Sequence, residues 1–128
     1  MATVLIVDDD ARIVELLERY IESLGHTAVS AMEGDKVTTV ARQHNPALII
    51  LDFIMPDASG AEILLRLRNN PGTKTTPVIF LSGIPQDRLK SNMKNARLVK
   101  FLEKPIDFAK LKEHIEEILG KSDSDPAA

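Results

Sequence analysis

Short apolar runs alternate with amphipathic stretches five times along the chain. The runs predict strands at Thr3–Val7, Thr27–Ala31, Ala47–Leu51, Val78–Leu81 and Leu98–Leu102. The continuous runs among them suit strands buried on both faces, whereas the second, with His26 before it and Ser30 inside it, suits a sheet edge. Between the runs lie five helical patterns. In the first, Ile13, Leu16, Leu17, Tyr20 and Leu24 fall at helical spacing, with Asp10 as N-cap and Gly25 just past the end. The second covers roughly 35–44 and stops before Asn45-Pro46. The third opens at Ser59 with Glu62 three residues on, the spacing of a capping box, and stops at Asn69-Asn70-Pro71-Gly72. The fourth, roughly 86–95, has only Leu89, Met93 and Ala96 as a thin stripe and is expected to be the most mobile. In the fifth, Phe108, Leu111, Ile115 and Ile118 follow the cap Asp107 and precede Gly120. Strands alternating with helices predict an α/β fold, a parallel sheet with helices on both faces.

The polar residues that end the apolar runs carry the chemistry. Val4-Leu5-Ile6-Val7 runs into Asp8, Asp9 and Asp10, and Leu48-Ile49-Ile50-Leu51 runs into Asp52. In an open α/β sheet ligands bind beyond the carboxyl ends of the strands, so those carboxylates converge on one site. Neighbouring carboxylates stay ionised together only when a cation joins them, and the natural choice is a hard, oxygen-seeking ion such as Mg²⁺. The plainer alternative is that Asp10 caps a helix and the others merely close strands. The fourth run ends in Ser82-Gly83 and the fifth in Glu103-Lys104-Pro105, which bring a hydroxyl and an ammonium to the same edge. Each alone reads as a turn serine or a surface lysine. Together on four strand ends they suit an anion that forms beside the metal.

Composition narrows the class. At 128 residues the chain has the size of one domain, and with no cysteine it can build neither a disulfide nor a thiolate metal site. Residues 1–60 hold 4 Lys/Arg against 10 Asp/Glu, residues 61–112 hold 11 against 4, and the rest 1 against 5. An acidic pocket and a basic later surface follow, the latter either ordinary solvated surface or a docking face for an acidic partner. One Tyr, four Phe and no Trp give little support to a nucleic-acid site. Met1-Ala2-Thr3 lacks a basic region, and the run after it is too short for a signal peptide or membrane span. The expectation is a cytoplasmic protein with no membrane contact.

These residues carry a resemblance. The pair Asp8-Asp9, the segment from Asp52 to Gly60 with its D-x-x-M-P-x-x-x-G spacing, Ser82-Gly83 and Lys104-Pro105 resemble, in order and spacing, the receiver domain of two-component response regulators. The likeness runs from Thr3 to Leu119. It implies a flavodoxin-like, doubly wound (βα)5 three-layer sandwich with a parallel sheet of order 2-1-3-4-5, the receiver domain occupying 1–120 and a flexible tail or linker start 121–128. It implies Asp52 as phosphoacceptor, taking a phosphoryl group from a sensor histidine kinase or histidine phosphotransfer protein. Mg²⁺ would be held by Asp9 directly, Asp8 through water, Asp52 and the backbone carbonyl of Ile54. Lys104 would pair with the phosphoryl group, Ser82 would hydrogen-bond it, and Phe101 would be the switch aromatic. Lys104-Pro105 would be a cis peptide. The output would pass through a helix 4–strand 5–helix 5 face to a downstream protein or output domain, with no direct nucleic-acid contact, by a monomer or a phosphorylation-dependent dimer.

The chain departs from the family where Asn95-Ala96-Arg97-Leu98-Val99-Lys100 replaces a small, acidic turn, which makes the output face more basic. Ile54 and Ile84, two residues after Asp52 and Ser82, are apolar and cannot orient a hydrolytic water by a side-chain hydrogen bond, although Gly83 leaves the approach open. Three other functions compete with the phosphoacceptor switch. A haloacid-dehalogenase-type phosphatase would use Asp8 as nucleophile and Asp10 as acid, but lacks a hydroxyl at Arg12 and room for a cap domain. A degenerate docking scaffold is opposed by the intact Asp9, Asp52 and Lys104. A phosphohistidine carrier would need a four-helix pattern around His26, His44 or His114.

Overall fold

In the computed structural model, which describes residues 2–85, 87–89 and 98–120, five parallel strands form one sheet. They are β1 (Thr3–Val7), β2 (Thr27–Ala31), β3 (Leu48–Asp52), β4 (Val78–Ser82) and β5 (Val99–Glu103), in the order β2-β1-β3-β4-β5. The helices are α1 (Ala11–Ser23), α2 (Val37–His44, preceded by a 3-10 turn at Gly34–Lys36), α3 (Gly60–Arg68), the helical residues 87–89 of α4, and α5 (Phe108–Leu119). The expected doubly wound sandwich is what forms.

Its three layers follow from the two-residue period of a strand. Val4, Ile6, Leu48, Ile50, Ile79, Leu81 and Leu102 point to one face and pack on Val14, Leu17 and Ile21 of α1 and Leu111 and Ile115 of α5. Leu5, Val7, Ile49, Leu51, Val78, Phe80 and Phe101 point to the other and pack on α2, α3 and Leu89. Every residue of β3 and β4 is buried, as their unbroken apolar runs require. At the edge, β2 is covered only at Ala31.

The caps are those the sequence announces. Asp10 accepts from the Arg12 amide, Ser59 from the Glu62 amide, and Asp107 from the amides of Ala109 and Lys110. Asn45 closes α2 in the left-handed conformation, and Gly25 turns the chain after α1 with φ 90°.

Two expectations are corrected. β3 and β5 begin one residue later than the runs suggest, and β3, β4 and β5 each end one later, so Asp52 and Ser82 are the last strand residues and not the first beyond them. In α1 the buried stripe is Val14, Leu17 and Ile21, flanked by Ile13, Tyr20 and Leu24, while Leu16 is 46% exposed. Each helical residue turns about 100°, which sets Leu16 well off the line through Leu17. Most of the proposed helix four, including Met93 and Ala96, and the tail Lys121 to Ala128 lie outside the described residues.

Removing a fully buried leucine leaves a cavity, whereas an exposed one loses little. Leu17→Ala is therefore expected to lower unfolding free energy by about 2–5 kcal/mol, and Leu16→Ala by no more than about 0.5 kcal/mol. Urea denaturation of the two variants measures the difference, and equal losses would show that the α1 stripe is misassigned.

Candidate functional site

The carboxyl edge of the sheet gathers the polar residues that end β1, β3, β4 and β5. Oxygens of Asp8, Asp9 and Asp52 lie within 4.8 Å of one another. Asp8 is 1% exposed and Asp52 7%, while Asp9 is open to solvent. Lys104 extends its ammonium over both buried acids, 3.4 Å from Asp8 Oδ2 and 3.5 Å from Asp52 Oδ2. Lys104 pairs with two of the three clustered carboxylates, which leaves an excess of negative charge that a metal ion would neutralise.

Local hydrogen bonds hold these groups. Asp8 Oδ1 accepts from the Asp10 amide at 2.9 Å, and Asp52 Oδ1 from the Ile54 amide at 3.3 Å. Ser82 is buried, and its Oγ accepts from the Ile84 amide at 3.0 Å. The Lys104 amide donates to the Ser82 carbonyl at 2.8 Å, tying the residue after β5 to the end of β4, and the Lys104-Pro105 peptide is cis. Burial pushes the Asp52 carboxyl above its ordinary value, and the Asp8 charge pushes the same way against the opposing pull of Lys104. The donor set is all oxygen, anionic and open on the Asp9 side, which suits a hard divalent cation.

Beneath the site three phenylalanine rings are in contact. Phe53 meets Phe80 edge-on at 5.3 Å, and Phe80 stacks on Phe101 at 5.7 Å. Phe101, the expected switch aromatic, is turned in, with 9% exposure. Gly60 is fixed by close approach: a Cβ there would lie 2.8 Å from both Phe53 and Phe80 ring carbons. Ile54, by contrast, is 61% exposed at the mouth, and Ile84 packs partly on the core.

Asp8, Asp9, Asp52 and Lys104 are thus brought together as the sequence suggests. Asp10 is not part of the cluster, because its side chain caps α1 and pairs with Arg12. That removes the acid the phosphatase alternative needs. Two residues escape sequence reasoning in their roles. Gly60 is visible only as a motif letter, and Asp57, whose carboxylate bonds the Gly34 and Asp35 amides, has no signal beyond following a proline.

Comparison with known proteins places this arrangement. A model of the response regulator receiver domain matches residues 4–116. The chain is 30% identical over 128 residues to the DNA-binding dual master transcriptional regulator RpaA of Synechocystis, of which it spans only 53%. It is 30% identical over 119 residues to protein PilH of Pseudomonas aeruginosa, covering 93% of this chain and 98% of PilH. The solved chemotaxis protein CheY4 of Vibrio cholerae superposes with a TM-score of 0.85 at 25% identity, over 92% of this chain and 98% of that one. The chain belongs to the receiver domain family of two-component response regulators.

Because Asp52 is harder to ionise folded than unfolded, its charge subtracts from stability above the folded pKa. The penalty fades as pH falls through that raised value towards the ordinary 3.8. Asp52→Asn is expected to raise the melting temperature of the metal-free protein at neutral pH, with the gain vanishing once pH drops below 3.8. Thermal melts across pH test this, and an advantage that persists unchanged in acid would contradict it.

Proposed function

We propose that this receiver unit, read as residues 1–120 with 121–128 as tail or linker start, works as a Mg²⁺-dependent phosphoacceptor switch. Asp52 takes a phosphoryl group from a phosphohistidine on a sensor histidine kinase or histidine phosphotransfer protein. The observation that carries this reading is the Lys104 ammonium within 3.5 Å of Asp52 and 3.4 Å of Asp8. A carboxylate nucleophile held beside a cation and an acidic cluster fits phosphoryl transfer, where positioning and charge neutralisation do most of the work.

Asp9, on the open side, would bind the ion directly, Asp8 would help through water, and Asp52 and the Ile54 carbonyl would complete the protein ligands. When bound, Mg²⁺ supplies neutralisation of the phosphoryl oxygens and lowers the repulsion among the acids. An Asp52 oxygen forms the new O–P bond as the donor's N–P bond breaks, the electron pair leaving with the imidazole. Lys104 is near enough to follow the charge from carboxylate to phosphoryl oxygen. The Ser82 hydroxyl accepts from Ile84, so its proton is free to be donated to the phosphoryl group. Drawing Ser82 inward relocates its loop against Phe101, which links the charge at Asp52 to β5 and α4, a two-state element biased by a local event. The chain assists its own phosphorylation and hydrolysis and does not turn over an external substrate.

The readout face is α4–β5–α5. There a depression of about 830 Å³, lined by Asp87, Glu103, Lys104, Ile106 and Lys110 among others, adjoins the site lysine and offers mixed charge to a downstream protein or output domain. The proposed state is a monomer or a phosphorylation-dependent dimer in the cytoplasm, with no direct nucleic-acid contact. No helix among the described residues is long and apolar enough to cross a membrane.

Incubation with acetyl phosphate and Mg²⁺ is expected to add one phosphate, lost in Asp52→Asn, as intact-mass spectrometry reads directly. Label that survives in the variant would sink Asp52 as acceptor. The exposed, apolar Ile54 offers the attacking water bulk without a hydrogen bond. Ile54→Asn, which restores a contact of about 1–1.5 kcal/mol, is expected to shorten the aspartyl phosphate's lifetime roughly five- to tenfold. A lifetime that is unchanged or longer would show that this side chain does not govern the water.

A further inference from the structure

The β3–α3 connection, residues 53–59, is a tight reversal. The Met55 amide donates to the Ala58 carbonyl at 3.2 Å and the Gly60 amide to the Phe53 carbonyl at 2.5 Å. Met55 and Ala58 anchor it from below at 5% and 7% exposure, but Ile54, Pro56 and Asp57 form an exposed rim. A rim with little packing is poorly fixed by burial, yet it carries the Ile54 carbonyl.

Asp57 supplies the lateral restraint. Its Oδ1 accepts from the Gly34 amide and its Oδ2 from the Asp35 amide, both at 2.9 Å. These amides open the 3-10 turn before α2, where first-turn donors have no partner within the turn itself. One oxygen per amide fixes tilt as well as distance. Gly34 is built for the contact, since a Cβ there would lie 2.9 Å from Asp57 Oδ1 and 3.2 Å from Ala58 Cβ and Ile63 Cδ1. The two amides also hold the Asp57 carboxyl below its ordinary range, so both oxygens remain acceptors. In the sheet β2 and β3 flank β1, so the bond between their following connections spans the pair of strands on either side of Asp8 and Asp9.

We infer that Asp57 is a positioning residue for the phosphoacceptor site, clamping the β3–α3 connection to the β2–α2 connection and thereby fixing the Ile54 carbonyl beside Asp52. The inference rests on the reading of that carbonyl as a metal ligand. Calorimetric titration with Mg²⁺ alone tests it on the full chain. Asp57→Ala is expected to weaken Mg²⁺ binding roughly tenfold while the urea midpoint stays close to wild type. Asp57→Asn, which keeps one acceptor oxygen, should fall between the two. Gly34→Ala should reproduce the loss from the other side of the contact, and the double variant should bind no worse than the weaker single.

Unchanged Mg²⁺ affinity in folded Asp57→Ala would overturn the inference, as would an additive double variant or an Asn variant weaker than the Ala one. Acetyl phosphate labelling of the wild type judges the phosphoacceptor reading separately. If the label fails to appear, Asp52 loses its role and the Mg²⁺ series still decides the clamp.

Discussion

Repulsion among Asp8, Asp9 and Asp52 is the constraint around which the site is arranged. Three carboxylates lie within 4.8 Å, and the two buried ones, Asp8 and Asp52, are held against their own field by backbone amides and Lys104. The sheet tolerates this because it is rigid on both faces. β3, buried at every position, leaves Asp52 no room to swing away. The price appears in the raised carboxyl of Asp52, pushed up first by desolvation and then by Asp8. Because desolvation and Asp8 both oppose the Asp52 charge, any cation placed beside it lowers that opposition.

The route from that charge to the surface is short. Ser82 ends β4 directly over Phe80 of the same strand's second core position, and Phe80 stacks on Phe101 of β5. On the other side Phe80 meets Phe53, which immediately follows Asp52. Three rings therefore join the connection that follows Asp52 to β5. Gly60 allows this contact, since any side chain at the head of α3 would force the rings apart.

Much of this was legible in the chain because strand ends and caps are written in local chemistry. Apolar runs that stop on Asp8 and Asp52 announce both the strand and the site, and Asp10, Ser59 and Asp107 announce the helices. What was hidden depends on three-dimensional contact. Leu16 fits a helical stripe by spacing, but the sheet selects Val14, Leu17 and Ile21, a choice that only packing makes. The ends of β3, β4 and β5 fall one residue past the apolar runs, because hydropathy stops at the polar residue while the ladder continues through it. Asp57 reaches 23 positions back to Gly34, and no local pattern encodes that pairing.

Register completes the site. Val7 pairs with Leu51, Asp52 with Leu81 and Ser82 with Glu103, so beyond β3 each strand carries its polar residue one step further along the edge. The acids on β1 and β3 are thereby level, the hydroxyl stands a step above, and Lys104 a step above that. Strands about 4.8 Å apart put β5 roughly 14 Å from β1, a gap that only a long side chain reaching inward from a staggered end can close. Lys104 does close it, arriving 3.4 Å from Asp8. A slip of one residue between β3 and β4 would turn Asp52 to the other face of the sheet and leave the lysine facing apolar side chains. The two apolar cores that lock the register are therefore part of the geometry of the site, and mutations in them act on the site as well as on the fold.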